Sequence, residues 1–393
     1  MKKRIILFFV FLAIFSQLIF MGVENVTYAN YLSLPVLPLF LLSLKTIKIS
    51  YHIKVLFSVQ VLFILSYLWS DYQSYVSIKS YLPLLLSSIF ILSIYNLMLK
   101  QKSVTPVFWS FWLCSLFNFL ILLKIVPQEL FFDLEYWVVR FYGTFNNPNL
   151  GSICFVFSIL FADYELKKIK KRNLYFYFLF IVILISIALV IATASKKGLL
   201  LIVLYFLGKI YSNKKSSLRT KNTTVVGFLL LLVFNFVPSE FLKEISDNAF
   251  FRFNSFLEQI ESNNSVGLNT GSTSERIFFI EKAIDGFFDS PLYGHGFKSF
   301  EAKFTLYSHN NYLELLYSIG IIGFFLYYSI YLKLCMMAFK ADAKTKFLLI
   351  FSILSLCFID IAAVTYSTKT IHYFICVLFV VFEIQQQKLN ING

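Results

Sequence analysis

Long apolar stretches alternate with short polar segments along most of the chain. Twelve of them approach the length that an α-helix needs to cross a bilayer, about 20 residues. They lie at 5–21, 28–44, 55–70, 80–99, 104–126, 147–163, 174–194, 198–212, 223–238, 310–332, 346–365 and 370–386. This pattern predicts an all-α polytopic membrane protein with about 12 transmembrane helices.

Polar residues concentrate in two segments that we predict to be extracytoplasmic. The sequence is therefore divided into four regions, each described by its predicted helices or loop. These are 1–126 with helices 1–5, 127–238 with helices 6–9, a first external loop and a lysine hairpin, 239–309 as one large extracytoplasmic loop, and 310–393 with helices 10–12. The large loop is the only region long enough to fold over the membrane as a cap.

Two helices are predicted inside the large loop. The first covers Ser239–Glu261, where apolar residues recur at helical spacing. The second begins at Ser272, because Ser272 and Glu275 have the spacing of a capping box. It ends at Asp289, which precedes a serine and a proline. Gly294, His295 and Gly296 are then predicted to form a tight turn.

Composition supports a membrane protein and excludes a soluble one. The chain is 58% hydrophobic and 14% charged, with a mean hydropathy of +0.74. Its net charge of +14 is typical of nucleic-acid-binding proteins, but the distribution of that charge argues against nucleic acid as a partner. With the N-terminus inside, 23 of the 35 Lys and Arg residues fall in cytoplasmic segments and 11 outside. The positive-inside rule then predicts cytoplasmic termini, and membrane lipid as a partner.

The first span has an alternative interpretation. Lys2, Lys3 and Arg4 precede its apolar run, and Ala29 follows it, as in a secretory signal with a cleavage site. The run is longer than a usual signal core, and eleven more spans follow it. We therefore interpret it as an uncleaved transmembrane helix.

His309 is the candidate for acid–base chemistry. It follows Ser308, which we predict to be the N-cap of the span that begins near Asn310. A helix N-terminus disfavours imidazolium, and neutral imidazole can accept a proton near pH 7. The alternative is a histidine that only hydrogen-bonds the loop backbone. We interpret His295 as part of a turn, and we find no ionic partner for His52 or His372.

Four of the 11 cations predicted on the external side are candidates for anion binding. Arg276 lies in the first turn of the second loop helix, Lys196 and Lys197 in a hairpin between two spans, and Arg140 before a Gly/Asn/Pro-rich turn. Such cations suit a phosphate or pyrophosphate, and guanidinium binds these anions in a bidentate manner. The alternatives are an ion pair of Arg276 with a nearby glutamate and lysines that extend toward the membrane surface.

The remaining chemistry-bearing residues exclude several classes of protein. Ionisable groups are scarce within the predicted spans, where we single out Lys124 and Asp360, whereas ion-coupled transporters need a path of them. There is no phosphate-cradling glycine loop, zinc-ligand spacing, nucleophile elbow or Asp-x-Asp pair. The five cysteines suggest neither a disulfide framework nor a metal site. A transferase with this sequence would use a donor already activated on a lipid, with no cofactor and no metal.

Four motifs around the large loop resemble those of the O-antigen ligase/polymerase superfamily. They are an Arg-x-x-Gly-Thr-Phe-x-x-Pro-Asn segment, a Thr-x-Ser-cation-x-Gly hairpin, an Arg followed by Pro-x-x-Gly-x-Gly, and a Ser-His-Asn-x-x-Leu-Glu helix start with Gly-x-x-Gly. In this chain they occupy Arg140–Asn149, Thr193–Gly198, Arg276–Gly296 and Ser308–Gly323. The resemblance covers roughly 140–323, and the first five spans are generic.

The resemblance implies a fold and an activity. Proteins of this superfamily are GT-C-like, metal-independent inverting glycosyltransferases of the bacterial cytoplasmic (inner) membrane. They transfer a glycan from undecaprenyl pyrophosphate to an acceptor hydroxyl on the outer face of that membrane.

Residue by residue, the resemblance implies roles for the same side chains. Arg276 would hold the pyrophosphate, His309 would orient or deprotonate the acceptor, and Arg140 would support the lipid-phosphate site. Lys196 stands where the superfamily usually has arginine, so the charge is kept and the bidentate fork is lost. Asn310 belongs to the same motif as His309.

Two functions with the same fold remain open, together with one of another class. A polymerase would join undecaprenyl-pyrophosphate-linked oligosaccharides into O-antigen, capsular or exopolysaccharide chains, with a chain-length regulator and a flippase as expected partners. A ligase would move a finished glycan to lipid A core or protein. A lipid-linked oligosaccharide flippase would need polar residues along many spans and short external loops, which is the reverse of this sequence. We favour the polymerase.

Overall fold

The computed structural model describes residues 3–20, 26–43, 47–76, 78–127, 141–145, 147–169, 171–212, 272–361 and 363–392. Within these ranges the regular structure is helical, and no strand is present. The helices in chain order are α1 Lys3–Ile19, α2 Val26–Ser33, α3 Val36–Ser43, α4 Tyr51–Ser66, α5 Ile78–Gln101, α6 Thr105–Leu122, α7 Pro148–Leu166, α8 Leu174–Ala192, α9 Lys196–Ser212, α10 Ser272–Asp289, α11 Ser299–Phe304, α12 Asn311–Lys340, α13 Ala343–Asp360 and α14 Lys369–Asn392.

Six of the described helices are long and apolar enough to cross a membrane. These candidate spans are Ser80–Gln101, Thr105–Leu122, Pro148–Leu166, Leu174–Ala192, Asn311–Lys340 and Lys369–Lys388. Asn30–Leu41 and Tyr51–Ser66 are shorter apolar segments. The described part of the chain is therefore all-helical, and the length and composition of its helices are those of a multi-pass membrane protein.

The predicted stretches correspond to helices wherever the structure describes them, except that one stretch is divided into two helices. The stretch 28–44 is two helices, α2 and α3, separated by a turn at Leu34 and Pro35. Proline lacks the amide hydrogen that an uninterrupted helix would use there. The predicted span 223–238 and the predicted helix Ser239–Glu261 lie outside the described residues.

Lys124 lies beyond the end of the candidate span that was predicted to contain it. The candidate span of α6 ends at Leu122, and Lys124 is an exposed residue of the turn that follows, with a positive φ of 58°. The apolar residues after Leu122 extended the predicted span to 126, but hydropathy alone cannot locate the last helical turn.

The chain divides into two compact units, which we describe separately. Unit 1 contains Met1–Leu18, Asn25–Ser110 and Thr270–Gly393; unit 2 contains Ile19–Glu24 and Phe111–Asn269. The N-terminal and C-terminal helices thus belong to one unit although they are far apart in sequence.

In unit 1, buried polar side chains connect apolar helices to one another. The Gln60 amide of α4 donates to the carbonyl oxygen of Leu84 and the hydroxyl of Ser88 in α5, at 3.0 and 2.5 Å. Tyr95 of α5 donates to Glu383 of α14. Because an unpaired polar group is costly in an apolar interior, these bonds favour one alignment of the helices.

One end of unit 1, which we name the cap end, carries α10, α11 and their connecting turns. The amide of Phe297 donates to the hydroxyl of Ser66, the last residue of α4, at 2.9 Å. The Phe297 ring packs against Phe63, Tyr81 and Tyr366, with centroids 4.7, 5.1 and 6.5 Å away. An aromatic side chain therefore anchors the cap to the ends of the apolar helices.

Candidate functional site

The Ser308–Asn310 loop connects the cap to the start of α12 and carries His309. His309 has φ +56°, in the left-handed region that side chains with a Cβ rarely adopt. The neighbouring residues hydrogen-bond across it: the Ser308 hydroxyl donates to the Asn310 carbonyl oxygen at 2.8 Å and accepts from the Asn310 amide at 3.3 Å. The backbone therefore makes a tight turn with His309 at its apex.

Asn310, and not Ser308, caps α12. Its side-chain oxygen accepts from the amides of Tyr312 and Leu313 at 3.0 and 3.3 Å, and its φ and ψ of −147° and 115° are those of an N-cap residue. The prediction that Ser308 is the N-cap is thus wrong. Both residue types are good caps, and the left-handed turn at His309 removes Ser308 from the helix end.

A buried carboxylate of α12 reaches back to this loop. Glu314, one turn into the helix and 2% exposed, accepts the amide hydrogen of Ser308 at 2.9 Å. Sequence reasoning missed this residue, although it is an ionisable group inside a predicted span and such groups are commonly functional. That position was the available signal, and the Ser-His-Asn-x-x-Leu-Glu motif includes it.

The ring of His309 lies among aromatic side chains of the cap. Its centroid is 4.2 Å from that of Tyr307 and 6.3 Å from that of Phe279 in α10. Phe279 also packs on Phe300, 5.8 Å away, in a small apolar core of the cap. The histidine is half-buried at the place where α10 approaches the start of α12.

Arg276 belongs to the same helix as Phe279 and precedes it by three residues. Through Phe279, the helix that carries Arg276 contacts His309. The hypothesis that both residues act in one site requires this proximity. The Arg276 side chain lies outside the described part of the chain. Its predicted role as a pyrophosphate ligand stays a prediction. The expected helix from Ser272 to Asp289 is confirmed as α10.

Asn311 fastens the start of α12 to the segment between α13 and α14. Its side-chain oxygen accepts the amides of Thr365 and Tyr366 at 2.8 and 3.0 Å, and its amide donates to the Tyr328 hydroxyl at 3.0 Å. Tyr328 in turn donates to Asp360 at 2.9 Å. The loop that carries His309 therefore adjoins a helix start whose own polar groups are paired and buried.

Asp360, which the sequence singled out as an intramembrane charge, belongs to this network. Its carboxylate accepts from the hydroxyls of Tyr328 and Tyr331 at 2.9 and 2.8 Å, and from Thr365. Three donors compensate a buried carboxylate for much of its lost hydration. Asp360 thus connects α12 and α13 to the turn before α14.

His295 is a structural histidine, as predicted for the Gly294–Gly296 turn. Its Nε2–H donates to the Gly286 carbonyl oxygen at 2.7 Å, and its ring lies 4.6 Å from that of Tyr317. Gly286 has no space for a side chain, because a Cβ there would come within 2.2 Å of the Tyr317 ring. The imidazole therefore fastens the turn to α10.

The same turn inserts into a kink of α12 that the sequence analysis did not predict. At Gly320, φ is +61°, and the helical bonding is interrupted. The carbonyl oxygens of Tyr317 and Ser318 accept instead from the amides of His295 and Gly296, at 2.8 and 2.9 Å. A Cβ at Gly320 would meet the backbone of the inserted turn. The glycines of two motifs thus allow this close backbone packing.

Unit 2 brings together the other two motifs. The Ser195 hydroxyl donates to the Asn149 side-chain oxygen at 3.1 Å, and the amide of Phe141 donates to the Ala192 carbonyl oxygen at 3.4 Å. Gly198 lies against Ser152, where a Cβ would come within 2.8 Å. The hairpin and the start of α7 therefore form one packed corner.

The predicted anion-binding residues of unit 2 are placed in part. Lys196 and Lys197 are the first two residues of α9, and Lys196 is exposed. A helix N-terminus favours anions, which agrees with the prediction without testing it. Arg140 lies outside the described residues. In the described part of the chain, no group of three His, Cys, Asp or Glu side chains is placed to hold a metal ion.

Comparison with known proteins supports the superfamily that the motifs indicated. No curated protein matches the chain. Residues 179–328 match a family model described as O-antigen ligase. This match contains the Lys196 hairpin, α10 with Arg276, the His295 turn and the His309 loop. Residues 179–328 therefore contain an O-antigen ligase domain, which supports the O-antigen ligase/polymerase superfamily.

Proposed function

We propose that the protein is a polysaccharide polymerase that joins undecaprenyl-pyrophosphate-linked oligosaccharide repeat units on the outer face of the bacterial cytoplasmic membrane. The observation that carries the proposal is the His309 loop: a half-buried histidine at the apex of a braced turn, where an apolar helix begins. Such a position gives one side chain access to a lipid-linked donor and to a polar glycan.

The proposed reaction is a single displacement. An acceptor hydroxyl of one lipid-linked unit attacks the anomeric carbon of another, the bond from that carbon to the pyrophosphate oxygen breaks, and undecaprenyl pyrophosphate leaves. His309 takes the hydroxyl proton, and the configuration at the anomeric carbon inverts. Neither a metal nor another cofactor is required, because pyrophosphate is already a good leaving group when its charge is neutralised.

Cationic side chains would supply that neutralisation. Arg276, in the helix that contacts His309, is the proposed pyrophosphate ligand. Lys196, Lys197 and Arg140 are proposed as further phosphate contacts, and Asn310 as part of the substrate-binding loop. Preorganised donors that face a developing negative charge commonly contribute a factor of about 10²–10³ each to the rate.

A ligase is the second candidate, because the matched family model is described as O-antigen ligase. It would use the same donor and the same residues, with lipid A core or protein as the acceptor. The fold alone does not separate two acceptors that present the same hydroxyl chemistry.

The experiment incubates the purified protein, in lipid vesicles, with the host's undecaprenyl-pyrophosphate oligosaccharide and no other acceptor. A ladder of repeat-unit multiples is the expected result. Product that forms only after addition of lipid A core or a protein acceptor would establish the ligase. If neither arm yields product while vesicles accumulate the lipid-linked oligosaccharide on the opposite leaflet, the protein is a flippase and the proposal is overturned.

A further inference from the structure

We propose that Glu314 is a positioning residue that fixes the His309 turn, and so sets where the imidazole meets the acceptor hydroxyl. The inference rests on the proposed function of His309 and adds a residue to which neither the superfamily match nor the sequence analysis assigns a role. It is carried by the geometry of one hydrogen bond and by the burial of both of its partners.

The bond joins a carboxylate of α12 to the backbone that immediately precedes His309. Glu314 Oε2 lies 2.9 Å from the Ser308 amide nitrogen. Ser308 is 1% exposed and Glu314 is 2% exposed, so water does not compete for this bond. In the described part of the chain, no lysine or arginine forms an ion pair with Glu314. A buried carboxyl group without a salt bridge is costly, and its hydrogen bond to the loop is the main compensation, with the charge of Lys298 acting at longer range.

The carboxylate acts on a backbone that would not adopt this shape unaided. His309 is in the left-handed region, which disfavours any residue with a Cβ. Ser308 is held by Glu314 on one side, and Asn310 is held by its capping bonds to Tyr312 and Leu313 on the other. Both attachments belong to the first turns of α12. One rigid helix therefore dictates the position of the imidazole between them.

A carboxylate in this position could instead act as the base itself, or serve folding only. A glutamine at position 314 distinguishes positioning from base catalysis. Its carbonyl oxygen still accepts the Ser308 amide hydrogen, but the amide cannot accept a proton at neutral pH. Alanine removes the acceptor altogether. Glu301 in α11 is the control for a change of nearby charge: it is a half-exposed glutamate of the cap that pairs with Lys298 and influences Glu314 only electrostatically.

The activity test compares the Glu314→Ala, Glu314→Gln and Glu301→Ala variants in the vesicle assay. We expect Glu314→Ala to lower kcat about 10- to 100-fold at unchanged KM, since the loss of a buried bond misplaces a group that acts mainly in the transition state. Glu314→Gln should stay within about threefold of the wild type, and Glu301→Ala should equal the wild type. A glutamine variant as inactive as the alanine variant overturns the proposal in favour of a base.

A double variant tests whether Glu314 acts through His309. If it does, His309→Asn combined with Glu314→Ala is no slower than His309→Asn alone, because groups that act as a unit are not additive. Asparagine is chosen because it tolerates the left-handed backbone. Multiplied losses in the double variant would show that Glu314 acts elsewhere and would overturn the proposal.

A chemical readout keeps the test independent of glycan synthesis. Diethyl pyrocarbonate modifies imidazole nitrogens, and peptide mass spectrometry measures the rate at each histidine. In Glu314→Ala, His309 should react severalfold faster than in the wild type, while His295, bonded to Gly286, serves as the internal reference. An unchanged His309 rate overturns the positioning role. A changed rate in a protein that makes no glycan supports positioning and rejects the proposed function instead.

Discussion

The turn around His295 and the loop around His309 lie near each other in sequence and serve different ends. At His295 the ring nitrogen and the backbone amide both donate to carbonyl oxygens, of Gly286 and Tyr317. At His309 the neighbours, Ser308 and Asn310, make the bonds that shape the loop. The ring of His295 fastens its turn to α10, whereas hydrogen bonds of the residues on either side of His309 fasten the His309 loop. Two histidines in similar sequence contexts therefore have different roles in the structure, because the hydrogen bonds around them involve different groups.

Replacement of His309 should have the largest effect on activity. His309→Asn preserves the left-handed backbone but removes the proposed base, so glycan formation should fall about 10²–10⁴-fold with an unchanged unfolding temperature. Ladder formation in vesicles and thermal unfolding in detergent measure the two quantities. The control is Thr305→Asn, since Thr305 is an exposed residue with φ +63° in the same region. Full activity in His309→Asn would show that His309 is not the base.

Replacement of Arg276 tests whether α10 supplies a pyrophosphate ligand in addition to its packing against His309. Arg276→Ala should lower the rate about 10²–10³-fold, because an uncompensated pyrophosphate leaves more slowly. Lys282→Ala is the matched control, since Lys282 is a half-exposed cation of the same helix that pairs with Asp285. Equal losses in both variants would mean that the net charge of α10, and not a specific ligand, matters.

Replacement of His295 should lower stability and leave activity nearly unchanged. His295→Ala removes the donor to Gly286 and the ring contact with Tyr317, so the free energy of unfolding should fall by about 1–3 kcal/mol. The activity of the molecules that remain folded should be close to that of the wild type. Thermal unfolding combined with activity per folded molecule checks this expectation. A stable but inactive His295→Ala protein would show that the turn belongs to the catalytic site.

Substitution of Lys196, which lies in unit 2, should have the smallest effect on activity. Lys196→Arg should be tolerated, while Lys196→Glu should lower activity about tenfold, because a reversed charge at a helix start repels an anionic substrate. Lys168→Glu is the control, since Lys168 is a partly exposed lysine of unit 2 whose surface pair with Glu165 contributes little. Activity equal to the wild type in Lys196→Glu would exclude the hairpin from the site.

Local patterns predicted the parts of the site that depend on neighbouring residues. The capping-box spacing predicted the start of α10 at Ser272, and the Ser-Pro sequence after Asp289 predicted its end. The same reasoning placed the start of α12 within one residue, although it chose Ser308 in place of Asn310 as the cap. Local signals could not choose between two good capping residues, because the choice depends on the left-handed turn at His309.

The long-range pairs were beyond sequence reasoning. The sequence offers no partner for His52 or His372, but the structure pairs their buried rings, with Nε2 of His52 3.3 Å from Nδ1 of His372. His372 Nε2 donates in turn to the Tyr366 carbonyl oxygen at 2.7 Å. A contact between residues 320 positions apart leaves no trace in local periodicity.

The sequence by itself determined an all-helical, multi-pass membrane protein, since the length of an apolar run and the residues that flank it are local properties. It also indicated four motifs as candidates for the chemistry. Only the tertiary structure decided that His295 is committed to Gly286, that α12 opens at Gly320 to admit a turn, and that Glu314 braces the His309 loop. The physical reason is that buried polar groups must find partners, and those partners come from whichever elements packing brings near.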